Sequence, residues 1–139
     1  MEEQKPILTI VIPTLNNPEG LHKTLETFYK HTKVGFRVIV IDNSGGDAVL
    51  PETHQYIHLY VKAYRNLGFA KSFNIGLMMS TTPYVGVFND DLEFMYDGWW
   101  DGIVETFAIT SGCGAVNPIS PRNPYHTGDI VEQYPYQKE

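Results

Sequence analysis

Two short apolar runs, with one amphipathic segment between them, most narrowly limit how this chain can fold. Ile7–Ile12 and Phe36–Ile41 are apolar at almost every position and rich in β-branched residues, which is typical of strands buried on both faces of a parallel sheet. Between the two runs, apolar residues recur at helical spacing after Asn17 and Pro18, a pair that favours the start of a helix. A strand, a helix and a second strand in this order predict a βαβ unit.

The rest of the chain continues the alternation of strands and helices. The further elements that we predict are a weaker strand Tyr56–Val61, a helix Phe69–Ser80, a strand Tyr84–Phe88, a helix capped by Asp97, and a strand Cys113–Ile119. In the helix Phe69–Ser80, we expect Phe69, Phe73 and Leu77 to face the core. Alternating strands and helices predict an α/β three-layer sandwich with a mainly parallel sheet.

Composition excludes several classes of protein. A length of 139 residues with 42% hydrophobic residues suits one packed domain. The formal net charge of -6 is the wrong sign for binding the phosphate backbone of nucleic acid. A lone Cys113 cannot form an intrachain disulfide, which favours a reducing compartment. The apolar run Ile7–Ile12 is too short for a signal peptide or a membrane span, so we expect a cytoplasmic protein with no membrane span.

A loop rich in polar residues follows each of the first four predicted strands. Because ligands bind outside the carboxyl ends of parallel strands, these residues are candidates for one shared site. They are Pro13, Thr14, Leu15 and Asn16 after the first strand, Asp42, Asn43 and Ser44 after the second, Arg65 and Asn66 after the third, and Asn89, Asp90 and Asp91 after the fourth.

Four motifs at these strand ends resemble those of the GT-A glycosyltransferases, in particular the large inverting family 2. Thr9–Thr14 resembles the opening strand of that family, and Val40–Ser44 its second strand and aspartate. Asn66–Gly76 is similar to its asparagine-glycine helix start, and Val87–Glu93 to its metal-binding turn. The four motifs stand in the family's order, and the resemblance covers about residues 7–119, the half that binds the donor.

The resemblance implies a nucleotide-diphosphate sugar as donor, a carbohydrate or lipid-linked acceptor, and Mn²⁺ or Mg²⁺ as cofactor. It makes Asp91 the metal ligand, since a hard cation that bridges phosphates takes oxygen ligands. Asn89 stands where the family usually has the first aspartate of Asp-x-Asp, and its amide can hydrogen-bond a ribose or a water. Asp42 is expected to accept a hydrogen bond from the base. The complete set of predicted donor-binding residues is Pro13, Thr14, Asn16, Asp42, Asn43, Arg65, Asn66, Gly68, Lys71, Asn89 and Asp90.

A catalytic base cannot be assigned from this sequence. In the family, the second half supplies the acceptor pocket and an acidic general base, and no acidic motif of that type matches within Pro121–Glu139. We therefore expect a donor-binding part at residues 1–120, followed by a loop or tail at 121–139. Such a chain is either a truncated piece of a longer protein, which we favour, or a small relative that borrows its acceptor side from another chain, as in a homo-oligomer.

Three other functions compete with this interpretation. The first is a non-catalytic nucleotide-binding or interaction module that kept the fold and lost the acceptor half. The second is a nucleotidyltransferase, which would need a glycine-rich, arginine-containing loop where this chain has Leu15–Pro18. The third is a flavodoxin-like or response-regulator domain, on fold alone.

Some of the candidate residues also have a purely structural interpretation. Asp42–Gly46 is typical of any tight turn, and Asp90–Glu93 of a solvated acidic turn. Trp99 and Trp100 favour the core over a sugar site. His54 and His58 are spaced for a metal on a helix, but the segment reads as extended and lacks a third ligand, which favours a surface pair.

Overall fold

The computed structural model describes residues 4–46 and 48–117, and its regular elements follow the alternation expected from the sequence. One compact unit ends at Trp99 and a second begins at Trp100. The elements are β1 Leu8–Thr14, α1 Pro18–His31, β2 Phe36–Asp42, a 3₁₀ helix Pro51–Tyr56, β3 Leu59–Lys62, α2 Phe69–Met79, β4 Tyr84–Val87 and α3 Trp99–Ile109.

The four strands form one parallel sheet in the order β3-β2-β1-β4. The two central strands pair along their whole length, from Leu8 opposite Phe36 to Thr14 opposite Asp42. Every residue of β1 is buried, as its unbroken apolar run predicts. The chain moves outward from β1 through β2 to β3, and then returns to the other side of β1 to form β4. The strand order therefore reverses between β1 and β4.

Helices cover both faces of the sheet. Alternate side chains of a strand point to opposite faces. On one face, the ring of Phe28 in α1 packs edge-on against Phe36, with 4.7 Å between ring centroids. On the other face, Phe73 of α2 packs against a core cluster that contains Val11 and Ile39. This arrangement confirms the predicted three-layer α/β sandwich.

Helix α2 lies so close to β1 that only a glycine fits at their contact. A Cβ added to Gly76 would come within 2.2 Å of the side chain of Val11. The buried positions of α2 are accordingly Ser72 and Gly76, which are one turn apart on the same side of the helix. Phe69 and Leu77 were expected to face the core, but they are 56% and 44% exposed. Small residues face the sheet here because they allow the helix to approach.

The region around β3 differs from the predicted strand Tyr56–Val61. Pro51–Tyr56 forms a 3₁₀ helix, and the strand begins only at Leu59. The two histidines of this region have separate structural partners. The ring of His54 packs edge-on against Tyr60, whereas His58 Nδ1 accepts a hydrogen bond from the backbone N–H of Val38 at 3.0 Å. They do not act as a metal pair.

The predicted fifth strand Cys113–Ile119 is not present in residues 113–117, which belong to no strand. A strand needs a neighbour with which to share its hydrogen bonds, and none of the described strands pairs with this segment. The rest of that segment and the predicted tail at 121–139 lie outside the described residues, so the proposed division into 1–120 and 121–139 stays a prediction. Within the described residues, no helix combines the length and apolar character that crossing a bilayer requires.

Candidate functional site

The candidate site lies at the carboxyl edge of the sheet, at the reversal of strand order between β1 and β4. In open α/β sheets, this is where ligands bind, because the loops on the two sides of the reversal diverge and leave a crevice. A cavity of about 260 Å³ opens there. Its wall consists of Pro13, Thr14, Leu15, Asn43, Asn66, Gly68, Phe69, Asn89 and Asp90.

The cavity wall brings together most of the residues that the sequence suggested. Residues from the ends of β1, β2 and β4 and from the start of α2 share it. Leu15 and Phe69 are additional members, and Phe69 lines the wall because it is exposed instead of buried in the core. Five of the predicted site residues are not part of the wall: Asn16, Asp42, Arg65, Lys71 and the predicted metal ligand Asp91.

Thr14 joins the end of β1 to the loop after β4. Its side chain is only 2% exposed, and its hydroxyl donates a hydrogen bond of 2.6 Å to Asp90 Oδ2. The amide of Asn17 donates to the backbone oxygen of Asp90 at 3.3 Å. Side chain and backbone of Asp90 are thus both held, which defines one side of the cavity.

Asn43 holds the loop that precedes α2. Its side chain is 4% exposed, its Oδ1 accepts from the N–H of Leu67 at 3.0 Å, and its Nδ2 donates to Ser72 Oγ at 2.9 Å. The hydroxyl of Ser72 in turn donates to the backbone oxygen of Gly68 at 2.8 Å. Gly68 has φ 77°, a conformation that glycine adopts without strain. Asn66 accepts from the N–H of Gly68 at 2.8 Å.

Asp42 is fully buried and does not line the cavity. Its Oδ1 accepts a hydrogen bond from the N–H of Ser44 at 2.9 Å, and its Oδ2 accepts one from the hydroxyl of Tyr60 at 2.5 Å. Burial acts to raise the pKa of Asp42, but the hydrogen bonds from Ser44 and Tyr60 outweigh it and hold that pKa below its usual range. A nucleobase would have to compete with these donors, so direct recognition of the base by Asp42 stays a prediction.

Asn16 contributes to the site through its backbone. Its φ of 51° is positive, which asparagine tolerates better than most residues. Its N–H donates to Ser44 Oγ at 2.9 Å, and this bond ties the loop after β1 to the loop after β2. The side chain of Asn16 is exposed.

Arg65 and Lys71 are two exposed cations that flank the loop before α2. Within the described part of the chain, neither of them forms an ion pair. Both follow β3 and precede or begin α2, the element whose first residues line the cavity. Neither side chain lines the cavity, so contact between these cations and an anionic ligand there stays a prediction.

Asp91, the predicted metal ligand, is exposed and has no hydrogen-bond or ion-pair partner among the described residues. In residues 4–46 and 48–117, no three His, Cys, Asp or Glu side chains converge into a metal-binding group. A cation bound here would have to take most of its oxygen ligands from phosphates and water, and its binding stays a prediction. The donor atoms at Asn89, Asp90 and Asp91 are hard oxygens of the required kind.

A polar stripe on α1 holds the loop after β4, and sequence reasoning missed it. Thr24 Oγ1 donates to the backbone oxygen of Leu92 at 2.9 Å and accepts from its N–H at 3.0 Å. Thr27 Oγ1 accepts from the N–H of Phe94 at 3.1 Å. The signal was present, because a threonine beside the apolar positions of an amphipathic helix is a buried hydroxyl that needs a partner.

The same stripe continues to the end of the loop. Asp97, expected to cap the last helix, accepts a hydrogen bond from His31 Nδ1 at 2.7 Å. That hydrogen bond holds the pKa of Asp97 below its usual range. Trp99 Nε1 donates to Thr32 Oγ1 at 3.2 Å, and its ring packs against Phe94. Trp99 is a core residue, as the sequence favoured.

Comparisons with known proteins identify the family of this chain. The family model described as Glycosyl transferase family 2 matches residues 9–134. The chain is 30% identical over 121 residues to uncharacterized protein y4gI of Sinorhizobium fredii, covering 82% of this chain and 13% of that protein. It is 27% identical over 90 residues to an uncharacterized glycosyltransferase of Haemophilus influenzae, covering 64% of this chain and 31% of that one.

Two solved structures of S. aureus TarS share the fold. One superposes with a TM-score of 0.60 and 16% identity, covering 84% of this chain and 24% of the TarS chain. The other, TarS 1-349, has a TM-score of 0.62 and 18% identity, with coverage of 81% and 38%. The chain thus spans between 13% and 38% of the length of the matched chains, which come from three proteins. With a parallel sheet of the GT-A type and a family match from residue 9 to residue 134, this chain belongs to glycosyl transferase family 2.

Proposed function

We propose that this chain binds a nucleotide-diphosphate sugar and forms the donor side of an enzyme that transfers the sugar to an acceptor hydroxyl. The observation that carries the proposal is the cavity at the reversal of strand order, where hydrogen-bonding groups from three strand ends and from the loop before α2 stand beside apolar residues. Its volume of about 260 Å³ suits part of such a donor, with the remainder reaching beyond the wall.

The distribution of charge supports a diphosphate ligand. Arg65 and Lys71 are exposed and lack ion-pair partners among the described residues, so they can face negative charge without breaking an existing contact. At the β4 side, Asn89 and Asp90 line the cavity, and the exposed Asp91 follows them directly. A diphosphate placed between these two sides would meet cations on one and, through a divalent metal, carboxylates on the other.

Asp91 would hold Mn²⁺ or Mg²⁺, with Asn89 and Asp90 beside it. When bound there, such a cation would supply positive charge against the negative charge of the departing diphosphate. The contribution of the chain is to hold the carboxylates in place before the donor arrives. Thr14 holds the side chain of Asp90, and Asn17 holds its backbone. Binding of the donor therefore costs little conformational entropy at this residue.

By resemblance to the family, the transfer inverts the anomeric carbon. The acceptor oxygen forms a bond to that carbon in line, while the bond from the carbon to the diphosphate oxygen breaks. The proton of the acceptor hydroxyl passes to a general base. Neither Asp90 nor Glu93 is our choice for this base, because both stand too close to the proposed metal-binding turn. The acceptor is a carbohydrate or a lipid-linked molecule in this proposal.

Replacing Asp91 by alanine tests the proposal most directly. We expect Asp91→Ala to abolish Mn²⁺-dependent binding of uridine, guanosine or thymidine diphosphate in titration calorimetry, because the cation loses its protein ligand. The free energy of unfolding should change by less than about 0.5 kcal/mol, since an exposed side chain without partners is removed. Glu26→Ala, which removes an exposed carboxylate of α1 outside the cavity, is the matched control. Unchanged metal-dependent affinity in Asp91→Ala would reject the assignment.

A non-catalytic nucleotide-binding module is the second candidate. The observation in its favour is that Asp90 is the single ionisable side chain among the described residues of the cavity wall. Slow hydrolysis of a nucleotide-diphosphate sugar in the presence of Mn²⁺ separates the two functions. A donor-binding transferase site should release nucleoside diphosphate at a measurable rate that Asp91→Ala removes. Tight binding of the donor without any hydrolysis would favour the module.

A further inference from the structure

The hydroxyl of Thr24 makes an unusual pair of contacts for a helix residue. It donates to the backbone oxygen of Leu92 at 2.9 Å and accepts from the N–H of the same residue at 3.0 Å. The side chain of Thr24 is fully buried. A single hydroxyl thereby satisfies both the backbone N–H and the backbone oxygen of Leu92. Residues 92–96 have no regular secondary structure that could do so.

The position of Leu92 gives these contacts a consequence for the site. Leu92 follows Asp91 directly, and Asp90 on the other side is held by Thr14 and Asn17. Consecutive Cα atoms are about 3.8 Å apart, so two anchors one residue away on each side leave the backbone of Asp91 little freedom. The exposed carboxylate of Asp91 therefore projects from a peptide that is held at both ends.

The anchor itself belongs to a rigid element. Helix α1 buries Leu21, Leu25 and Phe28 together with Thr24, so the hydroxyl cannot follow the loop if the loop moves. Within the described contacts, the tether of Leu92 is a pair of side-chain bonds and not a strand ladder. We infer that Thr24 is a positioning residue that sets the place of the Asp91 carboxylate for a divalent cation and diphosphate, an inference that rests on the proposed function.

The test compares Thr24→Val with the wild type. Valine keeps the shape of the side chain and removes both hydrogen bonds, so the turn should lose its fixed place. In calorimetry with uridine diphosphate, we expect affinity in the presence of Mn²⁺ to fall about 10- to 100-fold, the usual cost of removing a group that orients a metal ligand. Affinity measured without metal should stay that of the wild type. Thr24→Ser, which keeps the hydroxyl, should restore most of the Mn²⁺-dependent affinity.

Thr53→Val is the matched control, because Thr53 is also a fully buried threonine whose hydroxyl has a hydrogen-bond partner. That partner is His22 Nδ1 at 2.8 Å, and neither residue lines the cavity. Both valine variants should lower the melting temperature, but only Thr24→Val should weaken Mn²⁺-dependent binding. An equal loss in the two variants would show that Thr24 acts through stability alone and would overturn the inference.

Two further outcomes are distinguishable. If Thr24→Val is folded and binds uridine diphosphate with unchanged Mn²⁺ dependence, the inference is wrong and the proposed function stands. If the wild type shows no metal-dependent binding of uridine, guanosine or thymidine diphosphate, the proposed function is wrong and the inference falls with it. Should Thr24→Val not fold, Thr24→Ala removes the same two bonds while adding a better helix former, and the same comparison applies.

Discussion

The two sides of the cavity are built in different ways. On the β2 side, Asp42 and Asn43 are buried polar residues whose hydrogen-bonding groups are committed to other parts of the chain. On the β4 side, Asp91 is exposed and lacks partners among the described residues, and the loop that carries it is held from α1. The β2 side thus uses its polar residues to stabilise the fold, whereas the β4 side holds Asp90 through Thr14 and Asn17 and leaves the carboxylate of Asp91 available for a ligand.

This difference separates two kinds of variant. Changes on the β2 side should cost stability first and binding second, because they leave buried polar groups without partners. Changes on the β4 side should cost binding at nearly constant stability, as for Asp91→Ala above. Loss of binding without loss of stability on the β2 side would contradict the comparison.

Asn43→Ala should have the largest effect on stability. It removes the acceptor of the Leu67 N–H and the donor to Ser72, so that groups of a buried junction lose their partners. We expect a destabilisation of about 2–3 kcal/mol, measured by urea unfolding. Asn66→Ala is the control, since Asn66 is exposed and its side chain accepts only from the nearby N–H of Gly68 among the described contacts. A cost below that of Asn66→Ala would show that Asn43 does not hold this loop.

Tyr60→Phe should have a smaller effect that depends on pH. It removes the donor to Asp42 Oδ2, and a hydrogen bond to a charged group is worth about 2 kcal/mol. Because the pKa of Asp42 is lowered in the folded state, this contribution is present above the unfolded pKa and is lost as the pH falls through the folded pKa. The stability gap between variant and wild type should therefore be full at neutral pH and should begin to narrow as the pH falls below about 4, the ordinary pKa of an aspartate.

Denaturant midpoints of the two proteins between pH 7 and pH 3 measure this gap. Tyr84→Phe provides a second half-buried tyrosine of the sheet as the comparison. A gap that stays constant down to pH 3 would mean that the bond from Tyr60 does not depend on the charge of Asp42.

Arg65→Gln should have the smallest effect and should act on binding alone. The side chain is exposed without an ion pair among the described residues, so stability should change by less than about 0.5 kcal/mol. Affinity for a nucleoside diphosphate should fall about threefold to fivefold, because a charge at the surface interacts weakly through water. The loss should shrink at high salt. Arg37→Gln, at the opposite end of the sheet, should leave the affinity unchanged.

The sequence predicted secondary structure best where buried positions recur regularly along a strand or helix. The runs Ile7–Ile12 and Phe36–Ile41 became β1 and β2 because an apolar run flanked by turn residues has few other stable solutions. Around β3 and in α2 the prediction was less accurate. Periodicity places large apolar residues inward, but the close approach of Gly76 to Val11 made Ser72 and Gly76 the buried face of α2. That approach depends on the neighbouring strand, which no local pattern contains.

By itself, the sequence determined the α/β alternation, the family and the strand ends from which the cavity residues come. Short stretches of sequence suffice for this, because apolar runs and turn residues are local patterns. Only the tertiary structure decided how those residues are used. It buried Asp42 away from the cavity wall with its oxygens already paired. It also brought the hydroxyl of Thr24 to the backbone of Leu92, directly after Asp91. Thr24 and Leu92 are 68 positions apart in the chain. Their contact results from the packing of α1 against the loop after β4, which no local sequence pattern predicts.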